Sequence, residues 1–264
     1  MKLVILFLCL LYTISYSEDI EQLKKYAQND DVKAQSRLGS CYYFGEGVAK
    51  DYDKAVFWFE KAAKHGNAKA QHNLATCYFN GQGVQKNSAK AAYWLEKAAR
   101  QGDINAQFKM ATCYYNGEGV TKDLEKAVYW SEKVAEYGFP PAQDLLGSCY
   151  FNGKGTDKDL ETAAFWFEKA AKRGYAQAQY NLGICYYSGS GVSKDPEKAY
   201  YWFEKSALQD NCKAQYNLGV CYLSGEGVTK DMEKGAYWID KAANNGDEEA
   251  KKAWTDLELW KFKK

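Results

Sequence analysis

The chain has 264 residues, of which 46% are hydrophobic and 16% aromatic, enough apolar side chains for a sizeable core. Its 35 Lys and Arg residues nearly balance 34 Asp and Glu residues, which gives a formal net charge of +1. This balance excludes the strongly basic footprint that nucleic acid or an anionic membrane surface would need. Partners must therefore be selected by shape and by local groups.

The N-terminal segment has the features of a secretory signal. Lys2 is followed by an apolar run from Leu3 to Tyr12 and then by the small-residue pattern Ser15-Tyr16-Ser17. This pattern predicts a signal peptide at residues 1–17, cleaved near Ser17. The apolar run is too short to span a bilayer. We therefore expect a soluble protein, secreted or periplasmic, that does not span the membrane.

A period of 36 residues runs through the rest of the chain. An alanine begins each copy, and in six copies it is followed by Gln and a pattern close to L-G/A-x-C-Y. Such a period is typical of a stacked helical array, and residues repeated six times are structural until shown otherwise. The repeated positions are Ala34, Ala70, Ala106, Ala142, Ala178, Ala214 and Ala250; Trp58, Trp94, Trp130, Trp166, Trp202 and Trp238; and Cys41, Cys77, Cys113, Cys149, Cys185 and Cys221.

Each copy predicts two antiparallel helices, A and B. Helix A of the first copy covers about Ala34 to Tyr43, with its apolar residues at the i, i+4, i+7 and i+8 spacing of an amphipathic helix. Gly45-Glu46-Gly47 forms the turn, and Asp51 is a good N-cap for helix B. Helix B is expected to point Trp58 inward with Phe59. The small residue in helix A at Gly39 and its equivalents indicates a close crossing of helix B.

These features predict an all-α fold, a right-handed α-α superhelical solenoid of six 36-residue helix-turn-helix repeats with half-repeat caps. The predicted boundaries are a capping helix at 18–33, repeats at 34–69, 70–105, 106–141, 142–177, 178–213 and 214–249, and a second capping helix at 250–264. The ladder cysteines are predicted to be free and buried. Equivalent helices lie roughly 9–10 Å apart or more, too far for a disulfide. Cys212 lies off the ladder, and the sequence leaves open whether it is inert or reactive.

The repeat resembles the Sel-one-like repeat (SLR) family, a branch of the tetratricopeptide-like helical solenoids. In the fifth copy the resemblance lies in Ala178, Leu182, Gly183, Tyr186, Gly189, Gly191, Val192, Asp195, Lys198, Ala199, Trp202 and Lys205. It covers about residues 20–257. The resemblance implies a scaffold or adaptor that acts on protein partners, with no cofactor.

One secreted branch of that family, the cysteine-rich SLR proteins, is associated with disulfides in every repeat and with penicillin binding or weak β-lactamase activity. Its cysteine positions are occupied here by Ala63 and Gln71, and likewise by Ala99 and Gln107. The activity of that branch therefore does not transfer residue by residue.

Motifs of catalysis and metal binding are weak. The Ser-x-x-Lys nucleophile motif of serine β-lactamases does not occur in the chain. His65 and His72 are the only histidines, and no zinc-ligand spacing accompanies them. We therefore expect no catalytic residues, no cofactor and no metal.

The candidate binding residues lie at helix A positions that are expected to face the concave surface, away from the core. An aromatic row, Tyr43, Phe79, Tyr115, Phe151 and Tyr187, ends at Leu223. Such a row is either an interface or packing between successive helices A. Beside it, Asn73, Asn181 and Asn217 could clamp a peptide backbone, since an amide both donates and accepts.

The doublets Tyr180-Asn181 and Tyr216-Asn217 place the predicted partner site in the last two repeats. Tyr180, Tyr216 and Tyr187 would supply flat contact area. Replacing both asparagines with alanine is expected to weaken binding at least tenfold, with a nearly unchanged melting temperature. The candidate residues are Tyr180, Asn181, Tyr187, Tyr216, Asn217, Asn73, Tyr115 and Phe151.

Two functions are compatible with the sequence. The first is an exported scaffold, monomeric, that binds a peptide or protein partner in the concave groove, with no nucleic acid involved. The alternative is an envelope ligand-binding protein or weak β-lactamase-like hydrolase, as in the cysteine-rich branch.

Overall fold

The computed structural model describes residues 19–262, so the predicted signal peptide at 1–17 lies outside the described residues. Every regular element in this range is helical, as predicted. The elements are α1 (19–28), α2 (Val32–Phe44), α3 (Tyr52–Lys64), α4 (Ala68–Asn80), α5 (Ser88–Arg100), α6 (Ile104–Asn116), α7 (Leu124–Ala135), α8 (Pro140–Asn152), α9 (Leu160–Lys172), α10 (Ala176–Ser188), α11 (Pro196–Ala207), α12 (Cys212–Ser224), α13 (Met232–Asn244), α14 (Glu248–Asp256) and a 3₁₀ turn (Leu259–Phe262).

The chain divides into two compact units between Trp130 and Ser131. In unit 1, each helix from α2 to α5 packs on the next. In unit 2, each helix from α8 to α13 packs on the next. Adjacent-helix packing of this kind confirms the predicted helical repeat, in which α2, α4, α6, α8, α10 and α12 are helices A and α3, α5, α7, α9, α11 and α13 are helices B.

The helix ends follow the predicted capping residues. The side chains of Asp51, Asn87 and Asp123 each accept a hydrogen bond from the third backbone N–H of the following helix at 2.9–3.0 Å. Gly191, in the turn between α10 and α11, has φ +72°, and a Cβ there would collide with the carbonyl of Leu160. Glycine is thus required at this position because the turn lies directly on the preceding helix B.

Helix A glycines mark the predicted close crossing. A Cβ added to Gly183 would lie 2.6 Å from Cδ1 of Phe203, and one added to Gly39 would lie 2.6 Å from Cδ1 of Phe59. In both cases the large ring occupies the space that the missing side chain leaves. The prediction that helix B crosses tightly over this position is confirmed.

The tryptophan ladder differs from expectation, because most of its members are only partly buried. Trp130 is 7% exposed, whereas the other five are intermediate. In helix B, Ala55, Phe59 and Ala62 form the central stripe, and Trp58 lies at its flank. Beside each Trp is an aromatic residue that is about half exposed and meets the indole edge-on, with centroids 5.0–5.3 Å apart; these residues are Phe57, Tyr93, Tyr129, Phe165, Tyr201 and Tyr237.

A buried glutamine joins each helix A to the end of the preceding helix B. The Nε2 amide of Gln71 donates to the carbonyl of Ala63 at 3.1 Å, and the other five glutamines donate to the equivalent carbonyl eight residues earlier at 3.0–3.2 Å. A side-chain hydrogen bond thus closes the junction between each helix B and the following helix A. The six glutamines are Gln35, Gln71, Gln107, Gln143, Gln179 and Gln215.

Candidate functional site

The inner face of unit 2 carries two adjoining pockets, which we call the unit 2 groove. One has a volume of about 240 Å³ and the other about 250 Å³, and both are lined by Tyr180 and Ile184. Ser148, Phe151, Asn152, Phe167 and Asn181 complete the first pocket, and Lys213, Tyr216, Asn217, Asp247 and Glu249 complete the second. The groove thus brings together five of the eight predicted site residues.

The aromatic side chains of the groove also pack on helix B. The ring centroid of Tyr180 lies 6.2 Å from that of Phe203, and the ring of Phe151 lies 6.3 Å from that of Phe167. Each ring therefore presents one part of its surface to the core and another to a pocket. Such anchoring keeps an aromatic side chain in place before a partner arrives, which lowers the entropic cost of binding.

Asn181 has both ends of its amide already engaged. Its Nδ2 donates to Oδ1 of Asp144 at 2.8 Å, and its Oδ1 accepts from Nε2 of Gln177 at 3.2 Å. Oε1 of Gln177 in turn accepts from Asn211, the N-cap of α12, at 3.4 Å. Replacing Asn181 would remove the donor of a buried carboxyl group. The substitution should therefore affect stability as well as binding.

Asp144 holds Asn181 at the edge of the unit 2 groove, and the sequence analysis did not single it out. It is only 9% exposed on α8, and burial raises the pKa of its carboxyl group to about 6, against the opposing hydrogen bond from Asn181. The signal in the sequence is an acidic residue at an inward helix A position, with an asparagine 37 residues later. Two residues 37 apart at these positions lie on consecutive helices A and can bond to each other.

The same spacing joins Asn217 to Tyr180. Burial raises the pKa of the Tyr180 hydroxyl and the charge of Asp247 adds to the rise, while a hydrogen bond with Asn217 opposes it. Asn217 therefore contacts the preceding helix A as Asn181 does. Its partner is a neutral hydroxyl at the rim of both pockets rather than a buried carboxyl group.

Three predicted residues lie outside the unit 2 groove. Tyr187 is 38% exposed, its ring 6.4 Å from that of Phe203. Asn73 and Tyr115 belong to unit 1, where Nδ2 of Asn73 lies 3.5 Å from Oγ of Ser40 and Nζ of Lys122 lies 6.0 Å from the ring of Tyr115. The aromatic row is thus divided between pocket lining and packing.

The thiols and histidines have structural surroundings. All seven cysteines within the described residues are free, and burial raises the pKa of Cys77 to about 12, which removes its nucleophilic form at neutral pH. Cys212 is partly buried. Nδ1 of His72 lies 3.0 Å from Oδ1 of Asp103, the N-cap of α6. Within residues 19–262, no group of three or more His, Cys, Asp or Glu side chains is arranged to hold a metal ion.

Between residues 19 and 262, none of the helices combines the length and apolarity needed to cross a bilayer.

Comparison with known proteins gives a family model, described as Sel1 repeat, that matches residues 32–67, 68–103, 104–138, 140–175, 176–211 and 212–247. No curated protein sequence matches significantly. Among solved structures, a protective antigen with an SLR fold from uropathogenic Escherichia coli is 35% identical, with a TM-score of 0.81 over 88% of this chain; the chain spans only 50% of that protein. A Sel1 repeat protein from Oxalobacter formigenes is 33% identical over 87% of this chain and 96% of its own, with a TM-score of 0.72.

Proposed function

Because the chain belongs to the Sel1 repeat family, whose members generally act as protein-interaction scaffolds, we propose that it is a monomeric scaffold or adaptor that binds an extended segment of a protein partner in the unit 2 groove. The support is the pair of adjoining pockets around Tyr180 and Ile184. Two pockets on successive helices A suit two side chains of one extended segment. Tyr180 and Tyr216 offer flat contact area that loses little entropy on binding.

The test compares two matched variants of the sixth repeat. Tyr216→Leu combined with Asn217→Ala removes a flat ring and an amide from the groove, whereas Tyr237→Leu makes the same ring change on α13, where the side chain is 58% exposed. A partner captured with the wild-type protein is purified, and its Kd for each variant is measured. We expect binding at least tenfold weaker for the groove variant, about 1.4 kcal/mol, and unchanged binding for Tyr237→Leu.

Melting temperatures are measured for all three proteins, and binding is compared well below the lowest of them. This separates a lost contact from a lost fold. Equal affinity of the groove variant and the wild type would remove the unit 2 groove from the proposed function.

We also propose that the protein is exported. The support is the charged start, short apolar run and small-residue pattern of residues 1–17. N-terminal sequencing of the protein recovered outside the cytoplasm should begin at Glu18. The alternative, a weak β-lactamase-like hydrolase, is tested separately by nitrocefin turnover, which would have to be saturable and lost with a single groove substitution.

A further inference from the structure

Unit 1 has a pocket at the same structural position as the second pocket of the unit 2 groove, but with different chemistry. It has a volume of about 420 Å³ and lies between helices A of the first two repeats, α2 and α4. We call it the unit 1 pocket. Its lining residues are Lys33, Ser36, Arg37, Ser40, Cys41, Glu46, Asn67 and Lys69.

Three cations surround this pocket against one carboxylate. Lys33, Arg37 and Lys69 make no ion pair with any described residue, whereas other lysines in residues 19–262 do, for example Lys54 with Asp51 at 2.8 Å and Lys241 with Asp210 at 2.9 Å. Lys33 and Lys69 also lie in the first turns of α2 and α4, where the helix dipole disfavours positive charge. Unpaired cations at unfavourable positions contribute nothing evident to the fold.

The chain itself shows that the repeat does not need these cations. Five repeats later, Lys33 has its counterpart in Lys213, but Arg37 is replaced by Asn217 and Lys69 by Glu249. The equivalent pocket of unit 2 therefore carries one cation and two carboxylates. Of these two equivalent pockets, only the unit 1 pocket has an excess of positive side chains.

The floor of the unit 1 pocket is polar and ordered. Oγ of Ser40 donates to the carbonyl of Ser36 at 3.2 Å and lies 3.5 Å from Nδ2 of Asn73. Above this floor the guanidinium of Arg37 is free to form the paired hydrogen bonds that carboxylates accept. The size of the pocket admits more than one side chain.

We propose that the unit 1 pocket binds an acidic segment of a partner polypeptide, whose carboxylates pair with Arg37 and Lys69. This deepens the proposed scaffold function and rests on it. The charge complementarity favours Asp- or Glu-rich sequences and gives binding that weakens as salt screens the charges.

The probe is a fluorescein-labelled, acetylated hexaglutamate peptide, with hexaglutamine as the neutral comparison. Fluorescence anisotropy is recorded with the full chain at low and at physiological salt. Arg37→Gln combined with Lys69→Gln should weaken hexaglutamate binding at least tenfold. Lys64→Gln, at the end of α3 with a side chain 67% exposed, should leave it unchanged.

Three results would overturn the proposal: no hexaglutamate binding by the wild type, equal binding of hexaglutamine, or an equal loss in the Lys64→Gln control. A fourth is binding of a dT8 oligonucleotide that matches hexaglutamate and is lost in the same double variant, since the pocket would then be a general anion site. The captured partner is measured in parallel. If the partner's affinity still depends on Tyr216 and Asn217 while hexaglutamate does not bind, the proposed function of the unit 2 groove is retained. Only the proposed acidic-segment site is then ruled out.

Discussion

The buried glutamine amides at equivalent repeat positions differ in how many of their hydrogen bonds are made. Oε1 of Gln71 accepts from Nε2 of Gln101 at 2.7 Å, so both ends of this buried amide are bonded. Oε1 of Gln107 is buried without a partner among the described residues. A buried unbonded oxygen costs roughly 1–3 kcal/mol. The two residues therefore differ in what their removal should cost.

We expect Gln71→Leu to lower the free energy of unfolding by about 1–3 kcal/mol and Gln107→Leu to lower it less, because the second change also removes the unbonded oxygen. Urea unfolding of both variants measures the difference. Gln101→Ala removes the donor to Oε1 of Gln71 and leaves that oxygen buried without a partner, so it should also lower the free energy of unfolding, by about 1–3 kcal/mol. Equal losses for Gln71→Leu and Gln107→Leu would contradict this account.

Asp144 should make stability depend on pH in the direction opposite to the capping aspartates. Its folded pKa of about 6 lies above the ordinary value of 3.8, so the native state holds its proton longer than the unfolded chain. The stability it contributes is complete below about pH 4 and is lost as pH rises through about 6.

The measurement is the unfolding free energy of the wild type relative to Asp144→Asn at pH 4 and pH 8. The wild type should lose up to about 3 kcal/mol relative to the variant over this range. Asp159→Asn is the matched control, since hydrogen bonds from Thr162 hold the pKa of Asp159 below its usual value. The stability that Asp159 contributes is nearly complete at pH 4 and is lost only as pH falls further, so its difference from the variant should stay almost constant between pH 4 and pH 8. A flat difference for Asp144 would show that its carboxyl group is not desolvated as the geometry implies.

Within the helix pair of one repeat, the close contact between helix A and helix B is packed in two different ways in this chain. Repeat five combines Gly183 with Phe203, whereas repeat two has Ala75 and Leu95 at the corresponding positions, both fully buried. A larger residue on helix A thus accompanies a smaller one on helix B. The sequence analysis found that a small residue is required on helix A, but not its compensation on helix B, because the packing partner is 20 residues away and only the structure pairs them.

Gly183→Ala should introduce overpacking of about 1–3 kcal/mol, partly offset by about 1 kcal/mol of improved helix propensity. Phe203→Leu alone should leave a cavity. Together they recreate the combination of repeat two, so the double variant should be more stable than the sum of the single effects by about 0.5–3 kcal/mol. Thermal or urea unfolding of the four proteins measures this coupling, and additive effects would show that the two positions are not packing partners.

The helices and their capping residues could be predicted from the sequence because they depend on local chemistry that repeats six times. The inward tryptophans could not, since a helix places Trp58 and Phe59 only 100° apart, and the period treats both alike. In the candidate site, Phe151, Tyr180 and Tyr216 line the two pockets, in line with the aromatic pattern of the sequence. The engagement of Asn181 with Asp144 depends on a contact between helices 37 residues apart, which no single repeat reveals.

At the scale of the whole molecule, equivalent repeats should be interchangeable as neighbours. Removing residues 178–213 joins Gln177 to Ala214 and fuses the start of α10 to the body of α12, in the same register. We expect a shortened protein that still unfolds cooperatively, with its helical content per residue preserved in circular dichroism.

Removing only residues 178–195 supplies the comparison. That deletion takes away most of α10 and its turn, so α11 loses the helix on which it packs. We expect this variant to lose stability and cooperativity. If both deletions behave alike, the repeat is not the unit of stacking.

The glutamine junction has a consequence for how such an array can grow. The amide and the carbonyl that it bonds lie only eight residues apart, so a tandem duplication of any 36-residue segment spanning both copies the whole junction with it. A lineage that joined its repeats by disulfides would add two thiols with each duplication, and six thiols already allow 15 pairings. Here the gene can gain or lose a repeat in one step, and the newly translated copy needs no oxidant and no sorting of partners to take its place.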